Sequence, residues 1–328
     1  MLTVDADGVD RALTFEGLVE TLREAFRAGA VQPVRHHHSV EYPTGAAATL
    51  LLMPAWTDFK ADAGQDGYIG VKVVTVAPDN NLLGKPAVMG IYLLLDGRTG
   101  EPRALIDGPR LTQWRTACAS ALAATYLARD DASELLVIGA GAMALFLARA
   151  HAAVRPLRRI RIWNRTPGNA ARLVDTLSSL NFPAELAGDL DAALASADIV
   201  SSATISAAPL VKGALLKPGA HVDLVGGFTP AMREADDDAI RRAAVYVDTR
   251  AGAGKEAGDI VQPLASGVLM PDGIVADLHE LARGQRPGRT SAGQITLFKS
   301  VGAALEDLAA GIAVYEKASG RAPSRAAG

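Results

Sequence analysis

The sequence predicts an α/β protein in two parts: a parallel-sheet domain over residues 118–295, and a discontinuous α+β domain made of 1–117 and 296–328. Three observations predict it. From 118 to about 290, short apolar strands alternate with helices, the pattern of βαβ units on a parallel sheet. The first 117 residues instead set strand-like runs close together, with no long helix between them. The last helical segment has no sheet of its own, so it must return to the first region.

In chain order, Thr14–Ala28 carries apolar residues at helical spacing and is predicted as a helix. AATLLLMPA, YIGVKVVTV and MGIYLLLD follow as strands of an antiparallel or mixed sheet, with turn signals at PDNN (Asp79 and Asn80) and DGRTG. Next come strand ELLVIG, helix AMALFLARAHAAV, strand RIRIWN and helix PGNAARLVDTLSSL. ADIVSSAT, HVDLVGG and AVYVDT read as further strands. FKSVGAALEDLAAGIAVYEKA is predicted as one long amphipathic helix and GRAPSRAAG as a frayed tail. No internal repeat is present.

Composition narrows the function. The 328 residues are 49% hydrophobic, enough for a sizeable core. The formal charge of −3 comes from interspersed charges, with no basic footprint for nucleic acid and no polybasic membrane segment. No apolar run reaches about 18 residues, and the start MLTVDADGVDRALT lacks a basic-then-apolar leader. The single cysteine, Cys118, cannot form an intrachain disulfide and sits in an apolar helical segment as a packed small residue. These features fit a cytoplasmic protein.

The strongest motif is LLVIGAGAMALFLARA, in which Gly139, Gly141 and Ala144 form G-x-G-x-x-A between an apolar strand and an apolar-faced helix. The first glycine permits the tight turn, the second lets backbone approach a pyrophosphate, and Ala144 keeps helix near strand. The turn residues Gly139, Ala140, Gly141, Ala142 and Met143 are therefore assigned to a dinucleotide, against a plain βα turn as the bland alternative. NAD binders usually end the second strand with a carboxylate for the ribose 2′-hydroxyl. Here RIRIW ends in Asn164, Arg165 and Thr166. Arg165 suits pairing with a 2′-phosphate or stacking on adenine, and Thr166 a hydroxyl bond, which favours NADPH with NADH as the alternative.

QPVR (Arg35), GVKVVT (Lys72), RTACASALAA (Arg115), VIGAGAMA, RIWNRT, VGGFTPAMRE and FKSVGAALED stand in one order and together resemble the ornithine cyclodeaminase/mu-crystallin family over roughly Leu18 to Glu316. The resemblance implies a Rossmann domain plus a substrate and dimerisation domain, and a homodimer. It also implies that Arg35, Lys72 and Arg115 hold a substrate carboxylate, with Lys72 as the catalytic candidate. Thr116, beside Arg115, is assigned to a cofactor phosphate. Paired cations suit a carboxylate taken into a partly dry site, and arginine can hold it bidentately. The bland alternative is three solvated surface cations.

One departure narrows the activity. Cyclodeaminases and the related alanine dehydrogenase carry an aspartate where this chain has Phe228, after Gly226 and Gly227. Phenylalanine accepts no proton and binds no ammonium, and Asp223, further back on its strand, faces structure. The expectation is reduction of a preformed C=N bond: a small cyclic imine 2-carboxylate, Δ1-pyrroline-2-carboxylate giving proline or Δ1-piperideine-2-carboxylate giving pipecolate. Two alternatives stand beside it, an ornithine cyclodeaminase or alanine dehydrogenase-type enzyme and a non-catalytic NADPH-regulated binding protein.

Other candidates read blandly. In VQPVRHHHSV, adjacent strand residues alternate faces, so His36 and His38 share a side and His37 shares that of Arg35. No metal site is expected there; His37 is the histidine best placed to line a site. Asp277, His279 and Glu280 read as a surface helix, and Lys255–Asp259 (KEAGD) resembles a family loop without an assigned role.

Overall fold

The computed structural model describes residues 1–60 and 67–321, and divides the chain into two compact units, Met1–Arg115 with Ala304–Gly328 and Thr116–Ala303. The expected boundaries at 117/118 and 295/296 thus fall at 115/116 and 303/304.

The first unit begins with β1 (Leu2–Val4), α1 (Ala6–Ala12) and α2 (Phe15–Ala28). The hydroxyl of Thr14 caps α2 by accepting the Gly17 N–H, and Gly29, at φ +89°, ends it. Phe15, Leu18, Val19, Leu22 and Phe26 form its buried stripe. Then come β2 (His36–Val40), β3 (Ala48–Trp56), β4 (Tyr68–Val76), β5 (Val88–Asp96) and β6 (Pro102–Asp107). Among the described residues they form a six-stranded sheet, ordered β1-β6-β5-β4-β3-β2, in which β1 joins β6 in parallel and the other pairs are antiparallel. The sheet is mixed. APDNN enters a short 3-10 helix, Pro78–Leu83, in place of a simple turn.

After α3 (Gly108–Leu127) the second unit alternates as expected: β7 (Glu134–Ile138), α4 (Ala144–Val154), β8 (Arg159–Trp163), α5 (Pro167–Ser179), β9 (Ala184–Leu186), α6 (Leu190–Ser196) and β10 (Ile199–Ser202). It continues with β11 (His221–Leu224), α7 (Asp237–Arg242), β12 (Ala243–Val247), α8 (Arg250–Glu256), α9 (Gly258–Ser266), β13 (Ile274–Asp277), α10 (Leu278–Ala282) and β14 (Ile295–Lys299). The strands form an all-parallel sheet ordered β13-β12-β14-β11-β10-β7-β8-β9, whose central members are buried throughout, as a sheet covered on both faces requires.

The chain returns to the first unit with α11 (Ala304–Ser319). Here the sequence expectation is corrected twice. Phe298 and Lys299 belong to β14, where ITLFK inserts between β11 and β12, so the helix starts only after Gly302 and Ala303. Nor is its first half amphipathic: every residue from Ala304 to Gly311 is buried. It comes close to the six-stranded sheet because Gly70 and Gly311 leave room for Tyr92; a Cβ on Gly311 would stand 2.4 Å from the tyrosine ring. The expected frayed tail, beyond Arg321, lies outside the described residues.

Candidate active site

In the first unit, Met53, Lys72, Tyr92 and Ile106 stand in register across β3 to β6, on one face, and all are buried. Period-two alternation puts Lys72 among apolar neighbours facing α11. Its ammonium lies 2.9 and 2.8 Å from the two carboxylate oxygens of Asp307. Arg115, on α3, donates from Nε to Asp307 at 3.1 Å and from an amino group to Glu306 at 2.8 Å. Both cations are almost fully buried, at 3% and 5% exposure, while Glu306 and Asp307 are fully so. Arg35, half-buried just before β2, acts electrostatically on both Lys72 and Asp307. Gln32 of the same QPVR segment accepts the Leu305 N–H at 3.1 Å, which ties this segment to the first turn of α11.

The three expected cations are thus brought together, with two carboxylates that sequence reasoning missed. With all five groups ionised, three positive and two negative charges leave one net positive charge. Burial pushes the Lys72 ammonium down to about 8, helped by the Arg115 cation and opposed by Asp307. Burial works the other way on Asp307, but Lys72 and Arg115 outweigh it and hold the carboxyl below the usual range. The acidic pair also sits in the first turn of its helix, where the dipole favours negative charge.

In the second unit, the geometry at the end of β7 fits a dinucleotide. Gly139 has φ +106° and is buried; a Cβ there would stand 2.7 Å from the Ala203 carbonyl oxygen. A Cβ on Gly141 would meet nothing within 4 Å, and Gly141 and Ala142 are exposed, so this backbone is open to a large group. Met143, half-buried, is the N-cap of α4 and makes no side-chain capping bond; Ala144 packs inside. The first-turn N–H groups of this helix would hold the pyrophosphate. Asn164 braces the turn from below: its carbonyl oxygen accepts the Ala140 N–H at 3.2 Å and its amide donates to Thr166 O at 2.9 Å. Arg165 and Thr166 are exposed at the start of α5, and the Thr166 hydroxyl makes no capping bond. Thr116 is buried on α3.

Phe228 follows β11 in the turn Gly226–Phe228 and is 49% exposed. Asp223 is fully buried and accepts from Ser120 at 2.8 Å and Ser201 at 2.7 Å, with His151 Nε2 at 3.2 Å, so it cannot stand in for the missing aspartate. His36, His37 and His38 are all exposed on β2, with the rings of His36 and His38 edge to face at 6.3 Å, so His37 lines no buried site. No group of three or more candidate metal ligands occurs among the described residues. Asp277 caps α10 in a capping box with Glu280.

Fold and site define a two-unit protein with a Rossmann dinucleotide domain and a buried cation cluster in its α+β partner. The chain belongs to the ornithine cyclodeaminase/mu-crystallin family, whose model matches residues 3–322. It is 39% identical over 288 residues to the Δ1-pyrroline-2-carboxylate reductase of Paracoccus denitrificans, covering 87% of this chain and 88% of that protein. Among solved structures it resembles the Thermococcus litoralis Δ1-pyrroline-2-carboxylate reductase in complex with NADH and L-proline, with a TM-score of 0.90, 32% identity and 98% of each chain covered. An archaeal alanine dehydrogenase dimer with bound NAD matches with a TM-score of 0.87 at 27% identity, over 99% of this chain and 98% of that one. No described helix is long and apolar enough to cross a membrane.

Proposed function

We propose that this protein is an NAD(P)H-dependent reductase of small cyclic ketimine carboxylates, converting Δ1-pyrroline-2-carboxylate to proline and Δ1-piperideine-2-carboxylate to pipecolate. One observation carries the reading: buried Lys72 and Arg115 and half-buried Arg35 are gathered around Glu306 and Asp307, a convergence of cations that suits the carboxylate of such a substrate. Arg35 and Arg115 hold that carboxylate, and holding the imine carbon in register is worth up to about 7–11 kcal/mol of barrier in favourable cases. When bound, a reduced nicotinamide supplies the hydride to that carbon. The imine nitrogen takes one proton as the carbon takes hydride, so C=N becomes CH–NH. Lys72, with its ammonium near 8, is the donor, and Asp307 keeps it aimed and charged before transfer.

Phe228 supports reduction over deamination, since phenylalanine accepts no proton and binds no ammonium. Arg165 at the end of β8 supports NADPH over NADH. A homodimer is supported by the sheet of the first unit: along β5, Tyr92 and Leu94 are buried while Met89 and Ile91, on the other face, are 47% and 43% exposed. Ile91→Glu is expected to convert a sedimenting dimer to monomers. The single, buried thiol of Cys118 fits a cytoplasmic location.

The test is reduced-nicotinamide consumption with each cyclic imine. Rapid turnover of either ring supports the reading. Tight dinucleotide binding without turnover of either would overturn it in favour of the binding protein.

A further inference from the structure

Beneath the Gly226–Phe228 turn, the second unit buries charges that the proposed reduction does not use. Lys299 ends β14, Asp259 stands in the first turn of α9, and Glu234 follows the turn in the chain; all three are fully buried. The Lys299 ammonium donates to the Gly226 carbonyl and lies 3.5 Å from Asp259 Oδ2. Asp259 Oδ1 accepts the backbone N–H groups of Glu234 and Ala235 at 2.8 and 3.0 Å. Glu234 Oε1 accepts the Ser202 hydroxyl at 2.6 Å, and both the N–H and the hydroxyl of Thr204 at 2.8 Å. Its other oxygen, Oε2, is buried with no hydrogen-bond partner among the described residues.

Glu234 therefore touches two rims of the sheet at once. A Cβ on Gly226 would stand 2.7 Å from its carboxyl carbon, and one on Gly227, at φ +59°, would stand 2.6 Å from Asp259 Oδ2. Only glycines let the turn lie on these carboxyls. On its other side, Thr204 and Ala203 back onto the dinucleotide turn, where a Cβ on Gly139 would meet Ala203 O at 2.7 Å and Thr204 Cγ2 at 3.4 Å.

We propose that Glu234 is a positioning residue: braced by Lys299 and Asp259, it locks the end of β10 to the Gly226–Phe228 turn and so places the Gly139 turn and Phe228 for reaction. This rests on the reductase reading given above. Burial pushes the Glu234 carboxyl up to about 7, against the pull of Lys299 and with the push of Asp259. The groups facing it are Ser202 and Thr204 beside β10, Asp259 from α9 and Lys299 from β14; Asp248, at the end of β12, acts on the same ammonium. Neutral, Glu234 leaves Lys299 on the Gly226 carbonyl. Ionised, it competes for that ammonium and loosens the turn.

Dinucleotide affinity, read by reduced-nicotinamide fluorescence at about pH 6 and about pH 8, tests this on wild type, Glu234→Gln and Glu234→Ala, with melting curves to establish folding. The wild type is expected to bind about fivefold more weakly at the higher pH and the glutamine variant equally at both. Glutamine keeps the oxygen that accepts from Ser202 and Thr204 but cannot ionise. Folded Glu234→Ala is expected to lose affinity and kcat, with KM for the imine carboxylate held by the cations of the first unit. The same pH dependence in the glutamine variant as in the wild type would overturn the proposal, as would a folded alanine variant with wild-type affinity and kcat. Should alanine fail to fold, the wild-type and glutamine pair decides. Because affinity needs no turnover, a protein inactive on both rings would sink the substrate reading and leave this test standing.

Discussion

Each unit holds a buried cluster of opposite charges, and the two clusters are balanced differently. In the first, Lys72 and Arg115 bond to Asp307, Arg115 also reaches Glu306, and half-buried Arg35 acts on Lys72 and Asp307; in the second, the Lys299 ammonium faces Asp259, Glu234 and Asp248. Both clusters have buried members that bear the cost of desolvation, yet it is met differently. In the first, the carboxyl of Asp307, held between cations, is kept below its usual range, and burial pushes the lysine towards neutrality. Where carboxyls are in excess, burial pushes Glu234 up to about 7 and raises Asp248, whose oxygens are taken up by the backbone N–H groups of Thr249, Val301 and Gly302. A cluster that gathers Lys72, Arg115 and half-buried Arg35 suits an anion from outside. A buried excess of carboxyls is met by protons and backbone, which suits a scaffold.

The largest effect is expected where the first cluster loses its central anion. Asp307→Ala leaves Lys72 and Arg115 buried against each other, and removing one partner of a buried pair costs about 3–5 kcal/mol. Thermal melting should show that loss, and kcat/KM for the cyclic imines should fall by at least about a hundredfold. A variant that melts and turns over as the wild type does would break the comparison, because the cations would then need no internal counter-charge.

Next in size is an opposed pair of pH slopes. Lys72 is pushed from its ordinary 10.5 to about 8, so between those values the unfolded chain binds the extra proton and stability rises with pH. Glu234 is pushed from 4.5 to about 7, so the folded chain holds the extra proton there and stability falls as pH rises through that window. Lys72→Met should erase the alkaline rise and Glu234→Gln the acid-side fall, each leaving the other slope in denaturant titrations across pH. Turnover should meanwhile decline above about pH 8 as Lys72 loses its proton, and Lys72→Met should lower kcat by about a hundredfold or more. An unchanged alkaline limb in the methionine variant would remove Lys72 as the proton donor.

The parallel domain was legible in the sequence because its signals are local: an apolar strand, the glycine turn and an apolar helix are contiguous around Gly139. The cations were found by resemblance, since Arg35, Lys72 and Arg115 stand far apart and only the fold brings them to one place. Their counter-charges were missed although a signal was there. Glu306 and Asp307 sit side by side in the apolar run VGAALEDLAAG, and an acidic pair in such a helix needs buried cations from elsewhere. Lys299 gave the same hint at the end of ITLFK, hidden by reading FK as the start of the helix. For Asn164 the sequence points to the cofactor alone, and the fold adds that it braces the turn through Ala140 and Thr166.

The smallest effect is expected at the cation that is not buried. Arg165 is exposed beyond β8, where water screens its charge and a single pairing is worth far less than within either cluster. Its contact with a 2′-phosphate would still be charge-assisted, so Arg165→Ala should weaken NADPH by about tenfold and leave NADH nearly unchanged. The NADPH preference should also shrink as salt is raised, which the buried clusters should resist. Equal losses with both dinucleotides would take Arg165 off the phosphate and onto the adenine, a ring both share, and would leave the choice of cofactor to other residues.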